Sequence, residues 1–388
     1  MTAPPIRLGF IGGGLNSAVG NTHRIAAQMD CRWKLEAGCF STHPDINIQT
    51  ADQWGIDPAR RYDTWEDLLK NEKGQLDAVC ILTPTPVHAN MVIETVNAGY
   101  SVVCEKAMAG SANEAEAICR AVDAQNAFVA VTYNYTGYPM LRELRRMIND
   151  GRLGNLKLIQ IEMPQEGYIR LDKSGNPPVP QAWRLRDGVI PTVSLDLGVH
   201  LHNMTEFLSG EKPLEVVADQ AAYGHFDQVV DHVGCLARYT NNLRCQIWYG
   251  KMALGHRNGL RVRVYGDRGG AEWFQLQPEE LMFNDVYGNR QIIDRASTVQ
   301  IADQLRYNRF KSGHPAGFIE AFANHYFDIA DALLEFKRTG VYSSPWVFTA
   351  AQAREGLEML ETMAISYEKK CWQAVSTITN PADEGTAC

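Results

Sequence analysis

Lys106 closes the apolar run Tyr100-Ser-Val-Val-Cys-Glu-Lys106. Lysine is rarely buried without a partner, and burial lowers its pKa. At the carboxyl end of a sheet strand, where α/β folds bind ligands, it is a candidate proton-handling group. The plain alternative is a strand-end lysine that snorkels to water. A second polar constellation is Asp196-Leu-Gly-Val-His200, between Val193-Ser-Leu195 and Leu201. On a helix, Asp196 and His200 are i and i+4 and share a face. A carboxylate beside an imidazole can hold one tautomer, and histidine works as acid or base near neutral pH. The plain alternative is a capping aspartate and a core histidine. Asp196, His200 and His202 lack a second ligand cluster, so no metal is expected.

Gly12-Gly-Gly-Leu-Asn-Ser17 follows an apolar segment, Ile6 to Ile11, and opens a helical one. It fits GxGxxG at Gly12 and Gly14, with Ser17 in the third position. Gly12 permits a tight turn, Gly14 lets backbone approach a pyrophosphate, and a small residue at 17 lets helix and strand pack closely. Leu15 and Asn16 complete the loop. The next apolar segment ends Ala37-Gly-Cys-Phe-Ser41-Thr-His43. Dinucleotide folds often carry an acid here for the ribose hydroxyls. Ser41 removes that acid, yet no arginine or lysine stands nearby for a 2′-phosphate. The balance favours NAD over NADP.

The elements that position these residues change character along the chain. Up to about residue 133, short apolar strands alternate with helices: strands at 6–11, 34–40, 78–82, 101–104 and 128–132, helices at 22–29, 48–54, 65–69, 88–98 and 113–124. That alternation predicts a doubly wound parallel sheet covered on both faces. A helix at 139–150 follows. Longer strands at 156–163, 214–223, 232–239, 244–251, 261–265 and 271–274 then come with turn-like joints, which predicts antiparallel pairing. Helices are expected over 316–339 and 349–368. The expected division is a dinucleotide-binding domain at 1–135 and an α+β domain at 136–388.

The net charge of −8 and the absence of a basic cluster exclude nucleic acid as a natural partner. No apolar run reaches membrane-span length, and the amino terminus carries no signal pattern. The nine cysteines are scattered and never spaced CxxC, as expected of reduced residues in a cytoplasmic protein. Cys104 reads as core packing.

Taken together, the chain resembles the glucose-fructose oxidoreductase / inositol dehydrogenase (Gfo/Idh/MocA) family over nearly its whole length. The resemblance rests on Gly12-Gly-Gly14, Thr83-Pro-Thr-Pro-Val-His88, Glu105-Lys106, Asn134, Trp183-Arg184 and Asp196-Leu-Gly-Val-His200, in that order. It implies an amino-terminal Rossmann domain and a carboxyl-terminal domain whose open, mostly antiparallel sheet carries substrate site and oligomer interface. It implies Lys106 and His200 as the catalytic pair, with Asp196 as companion. NAD(P) would meet Gly12, Gly14, Leu15, Asn16 and Ser41 at one end. Thr83, Pro84 and His88 would line its nicotinamide half with Glu105 and Lys106 beside them, Asn134 would meet it from the domain junction, and Trp183 and Arg184 would approach from the second domain. Lys106, Tyr135, Asp196 and His200 would meet substrate. Ala107 replaces the proline usual after Glu-Lys, which should loosen the backbone there. Asn203 stands where an aspartate is common.

The expected activity is hydride transfer between NAD(P) and a secondary alcohol of a sugar, polyol or derivative, by a homodimer or homotetramer. Two rivals keep the cofactor. One is an NAD-dependent glycosidase that oxidises transiently, eliminates, hydrates and re-reduces, with sulfosugar glycosides as a conceivable substrate class. It needs an extra base, for which Tyr135, Tyr138 and His256 are candidates. The other is a non-catalytic dinucleotide-sensing regulator, which has no need to keep lysine, aspartate and histidine together. Arg261, Arg263, Arg306, Arg309 and His314 are candidates for an anionic pocket or for ordinary salt bridges.

Overall fold

A computed structural model describes residues 4–375. Five strands, β1 (Ile6–Gly12), β2 (Trp33–Cys39), β3 (Ala78–Leu82), β4 (Ser101–Glu105) and β5 (Val129–Thr132), form a parallel sheet in the order β2-β1-β3-β4-β5. Helices α1 (Gly20–Met29), α2 (Pro44–Trp54), α3 (Trp65–Asn71), α4 (His88–Asn97) and α5 (Ala112–Gln125) provide the crossovers. Every residue of β3 and β5 is buried, as parallel strands covered on both faces require. Side chains set the helix starts: Thr64 accepts from the Asp67 amide ahead of α3, and Ser111 from the Glu114 amide ahead of α5. The strand order reverses between β1 and β3, so their carboxyl ends flank the crevice where such sheets bind ligands. Helix α6 (Pro139–Asn149) follows.

The second sheet has nine strands in the order β13-β12-β11-β10-β6-β9-β8-β7-β14. They are β6 (Leu156–Pro164), β7 (Pro213–Ala221), β8 (His232–Tyr239), β9 (Arg244–Gly250), β10 (Arg261–Gly266), β11 (Gly269–Phe274), β12 (Leu281–Asp285), β13 (Arg290–Ile293) and β14 (Gln373–Ala374). Pairing is antiparallel except between β6 and β9, which run parallel. Strand β8 alternates: Val233, Cys235 and Ala237 are buried, while Leu236 between them is 49% exposed. One face of the sheet is therefore covered and the other open. Strands β12 and β13 were not anticipated from the sequence. Asp285 joins them by accepting from the amides of Tyr287 and Asn289, an Asx turn inside a polar stretch.

Helix α7 (Val199–Ser209) belongs with this second sheet, and α8 (Phe318–Thr339) and α9 (Ala350–Lys369) are the last helices among the described residues. The chain divides into two compact units, Met1–Glu143 with Asp294–Arg354, and Leu144–Ile293 with Glu355–Cys388. This differs from a single cut after residue 135, because α8 completes the first unit's core. Its Phe322, Tyr326, Ile329 and Leu333 recur at helical spacing and join Leu8, Phe10, Ala26 and Trp33 in one apolar cluster. Trp33 donates from Nε1 to the Tyr326 carbonyl at 2.9 Å, and the His23 ring meets Phe322 edge-on at 4.8 Å. Burying each such side chain contributes roughly 1.5–3 kcal/mol. Among the described residues, no helix is long and apolar enough to cross a membrane.

Candidate active site

In the first unit, the expected cofactor residues all follow carboxyl ends of parallel strands: the glycine loop after β1, Ser41 after β2, Thr83 after β3, Lys106 after β4 and Asn134 after β5. Gly12 and Gly13 have φ of +79° and +77°, which side chains other than glycine rarely adopt. A Cβ on Gly14 would stand 2.9 Å from the Phe40 carbonyl oxygen. The loop is thus held against the end of β2, where Gly14 N–H donates to Phe40 O at 3.0 Å and Leu15 N–H to Thr50 Oγ1 at 3.1 Å. Gly20, not Ser17, provides the close helix packing: a Cβ there would fall inside the Gly13 carbonyl. Ser17 instead accepts from the amides of Val19 and Gly20, at 3.3 and 3.2 Å, ahead of α1. The first turn of α1 carries no acid, so its amide end stays receptive to an anion. Asn134 is buried, and its Nδ2 has no hydrogen-bond partner among the described residues. A glycine-lined cradle, an acid-free helix start and an orphaned amide fit a dinucleotide with a carboxamide-bearing ring.

Lys106 is the one residue between 102 and 109 that is not buried. Glu105 before it is buried and accepts from Thr132 Oγ1 at 2.9 Å, with His23 Nε2 at 3.4 Å. Ala107 after it is buried, and its carbonyl lies 2.8 Å from His88 Nδ1. His88 Nε2 lies 2.6 Å from the Thr83 carbonyl. One ring therefore ties the turn after β3 to the turn after β4. Burial lowers the His88 pKa, and the two carbonyls oppose that. A neutral ring donates to one carbonyl and leaves the other in close approach. Cys104 is fully buried and its thiol pKa is pushed well up by burial, in keeping with core packing.

In the second unit, Ser194–Gly198 is a π-helical turn that runs directly into α7. The i, i+4 geometry of an α-helix therefore does not hold between Asp196 and His200. Such turns recur at functional sites because they swing side chains off the regular face. Gly198 is required by packing: a Cβ would lie 2.8 Å from Leu360 Cδ2 and 2.9 Å from Tyr249 OH. Tyr249, on β9, also meets Ser194 Oγ at 2.8 Å.

The Asp196 carboxylate is gripped by two cations, Arg184 at 2.8 Å and Lys251 at 2.6 Å. Lys251 is only 7% exposed, and its ammonium lies 4.9 Å from the Tyr168 ring centre. Tyr168 donates to the Arg184 carbonyl at 3.2 Å, and burial pushes its phenol up to about 12, so it stays protonated. Arg184 also stacks on Trp183 at 4.5 Å. Two cationic side chains thus fix the position of the Asp196 carboxylate. His200 is buried four residues on. Lys251 and Tyr168 were missed from the sequence. The available signal was the one that marked Lys106, a lysine closing an apolar strand, here Cys245-Gln-Ile-Trp-Tyr-Gly-Lys251.

The other four arginine candidates each have carboxylate partners within their own unit. Arg261 and Arg263 pair with Glu272 and Glu162 across the second sheet. Arg306 pairs with Asp328 and Arg309 with Asp30 in the first unit, where His314 is exposed. Of the extra bases considered, Tyr135 and Tyr138 are buried and His256 is exposed.

Two family profiles match: an oxidoreductase family with NAD-binding Rossmann fold over residues 6–133, and a Gfo/Idh/MocA carboxyl-terminal domain over residues 141–272. The uncharacterised oxidoreductase YfiI of Bacillus subtilis is 27% identical over 341 residues, covering 85% of this chain and 86% of its own. An oxidoreductase structure from Sinorhizobium meliloti superposes with a TM-score of 0.83 at 32% identity, over 96% of this chain and 100% of that one. An inositol dehydrogenase homolog from Azotobacter vinelandii, solved with NADH and myo-inositol, gives 0.86 at 26% identity, over 96% and 98% of the two chains. The match of both domains, carried through nearly the full length, makes the chain a member of the Gfo/Idh/MocA family of oxidoreductases.

Proposed function

We propose that this protein transfers hydride between NAD(P), with NAD preferred, and a secondary hydroxyl carbon of a sugar or polyol. The observation that carries the reading is the Asp196 carboxylate held by Arg184 and Lys251 in the turn that delivers His200. A bound nicotinamide supplies the hydride acceptor; the chain supplies position and charge. His200 takes the hydroxyl proton at its imidazole. Lys106 donates a hydrogen bond to the same oxygen and stabilises its developing negative charge. Asp196 stays ionised between its two cations and sets the field around the imidazole. The joint action of Lys106 and His200 rests on the family membership. Gly12, Gly14, Leu15, Asn16 and Ser41 hold the adenosine and pyrophosphate half of the cofactor. Thr83, Pro84, Glu105, Asn134, Trp183 and Arg184 border its nicotinamide half, while His88 shapes the two turns beneath it. Tyr135 borders the substrate.

In this reading the cofactor-binding domain is built on residues 1–135, with α8 completing its core, and the remainder of 136–388 forms the substrate and assembly domain. The open sheet face, with Leu236 exposed, is the natural surface for a homodimer or homotetramer. Every described cysteine is free, which suits a reducing cytoplasm. Cyclic polyols come first as substrates, since the Azotobacter vinelandii homolog was solved with myo-inositol. The test is turnover of Lys106→Ala and His200→Ala on a polyol and sugar panel, with NADH binding measured separately. Each should lose roughly 10²–10⁴-fold in rate and keep its cofactor affinity. Near-normal turnover in both variants sinks the assignment.

A further inference from the structure

Helix α7 continues past His200 into a second polar cluster. His202 and Glu206 sit one turn apart on α7, and Glu355 joins them from α9. One ligand atom from each lies within 4.8 Å of the other two. The helices come this close because residue 356 is glycine: a Cβ there would stand 2.8 Å from His202 Cδ2.

His202 is 3% exposed, and its two nitrogens have different surroundings. Nδ1 lies 3.4 Å from Met359 Sδ, a group that can only accept, so the ring proton belongs on Nδ1. Nε2 has no hydrogen-bond partner among the described residues. It points its lone pair toward Glu206 Oε2, 3.8 Å away and beyond hydrogen-bonding range. Burial pushes the His202 pKa down to about 4, so the ring is a neutral ligand at physiological pH. A buried lone pair facing carboxylates is an arrangement that a cation completes.

We propose that His202, Glu206 and Glu355 form a binding site for a zinc-class divalent ion, with Lys212 as its built-in competitor. One imidazole and two carboxylates, with water in the fourth position, make an ordinary tetrahedral set for zinc. Lys212 Nζ reaches Glu206 Oε1 at 2.7 Å and Glu355 Oε2 at 2.9 Å. Its side chain is 46% exposed, so it can swing to water when a metal enters. With the lysine in place, the two carboxylates and one ammonium leave a net charge of −1. A divalent ion then meets only part of the acidic charge, which holds affinity down. The ion would pin α7 to α9 just beyond His200. Glu355 begins the stretch of α9 assigned to the second unit, so the site lies wholly within that unit.

The test is cobalt and zinc titration of the full-length protein after chelator treatment. The expected result is one equivalent of saturable cobalt binding with the intense visible bands of tetrahedral nitrogen and oxygen ligation, and a higher melting temperature with zinc. Lys212→Met should tighten binding, and Glu355→Gln weaken it, each by at least about tenfold, as changes around a metal site commonly do. Lys212 is half exposed, so its substitution leaves the fold intact and reads the site even if Glu355→Gln proves unstable. No saturable binding in either wild type or Lys212→Met overturns the proposal. So do thiolate charge-transfer bands, which assign the metal to cysteines, and unchanged affinity in Lys212→Met.

Discussion

Lys106 and Lys251 carry the same sequence signature, a lysine directly after an apolar strand, and the fold uses them differently. Lys106 follows β4 of the parallel sheet and keeps partial exposure between buried neighbours. Lys251 follows β9 of the mixed sheet and is 7% exposed, committed to Asp196 at 2.6 Å. The turn that carries Lys106 is held by backbone carbonyls through His88. The turn that carries Asp196 is held by side-chain charge from residues 12 and 55 positions away, Arg184 and Lys251. A strand-end lysine therefore stands at a polar site in both sheets, partly exposed in one and committed to a carboxylate in the other, and the proposed substrate role belongs to the partly exposed one.

Substituting each lysine by methionine sharpens that contrast. Lys106→Met should cost roughly 10²–10⁴-fold in kcat/KM with an unchanged melting temperature, since it removes a hydrogen bond made to the reacting oxygen. Lys251→Met should cost about 10²-fold by letting Asp196 shift, with the melting temperature falling as well. Lys251→Arg should restore part of the loss. If Lys251→Met loses stability but keeps its rate, the Asp196 cluster is structural and the parallel between the lysines fails.

His88→Ala tests the backbone tie. It removes the ring's donated hydrogen bond and leaves one buried carbonyl without its donor, so stability should drop by about 1–3 kcal/mol. Denaturant unfolding measures it; a smaller change assigns the positioning of Lys106 to Glu105 and Thr132 instead. At the far end of the same sheet, Ser41→Asp should weaken NADP at least about tenfold relative to NAD, by setting a carboxylate against the 2′-phosphate. An unchanged ratio of KM values would remove residue 41 from the cofactor site.

The smallest effect concerns pH. His325 is buried, and burial lowers its pKa from 6.5 to about 4. Between those values the unfolded chain binds the extra proton, so the stability held above about pH 6.5 is lost as the pH falls toward 4. At pH 6 the loss is under about 1 kcal/mol, and it steepens toward about 1.4 kcal/mol per pH unit below that. His325→Gln should flatten the acid side of a melting-temperature profile. Parallel profiles would assign acid sensitivity to other groups.

Local chemistry made the first unit's site readable. The glycine run between strand and helix, Thr83-Pro after β3 and Lys106 after β4 each stand at a strand end, so strand assignment alone places them on one edge of the sheet. The role of Gly20 escaped because it depends on how closely α1 packs on Gly13, which spacing does not show. In the second unit the sequence offered the Asp196 and His200 pair and, through the resemblance, Trp183 and Arg184, but not Lys251 or Tyr168. Lys251 lies 55 residues away in sequence, and the π-helical turn leads into α7 at Gly198, where Tyr249 and Leu360 leave no room for a side chain.

By itself the sequence determined what the chain's own neighbours dictate: the alternating strands and helices of the Rossmann half, the glycine loop, the two polar motifs and the family they resemble. Burial periodicity and turn chemistry are properties of adjacent residues, so they survive without coordinates. Only the tertiary structure decided that α8 completes the first unit's core, that β6 and β9 pair in parallel, and that Asp196 is locked between Arg184 and Lys251. Each of these depends on contacts between distant segments, whose free energy comes from shape and charge meeting across space rather than from local propensity.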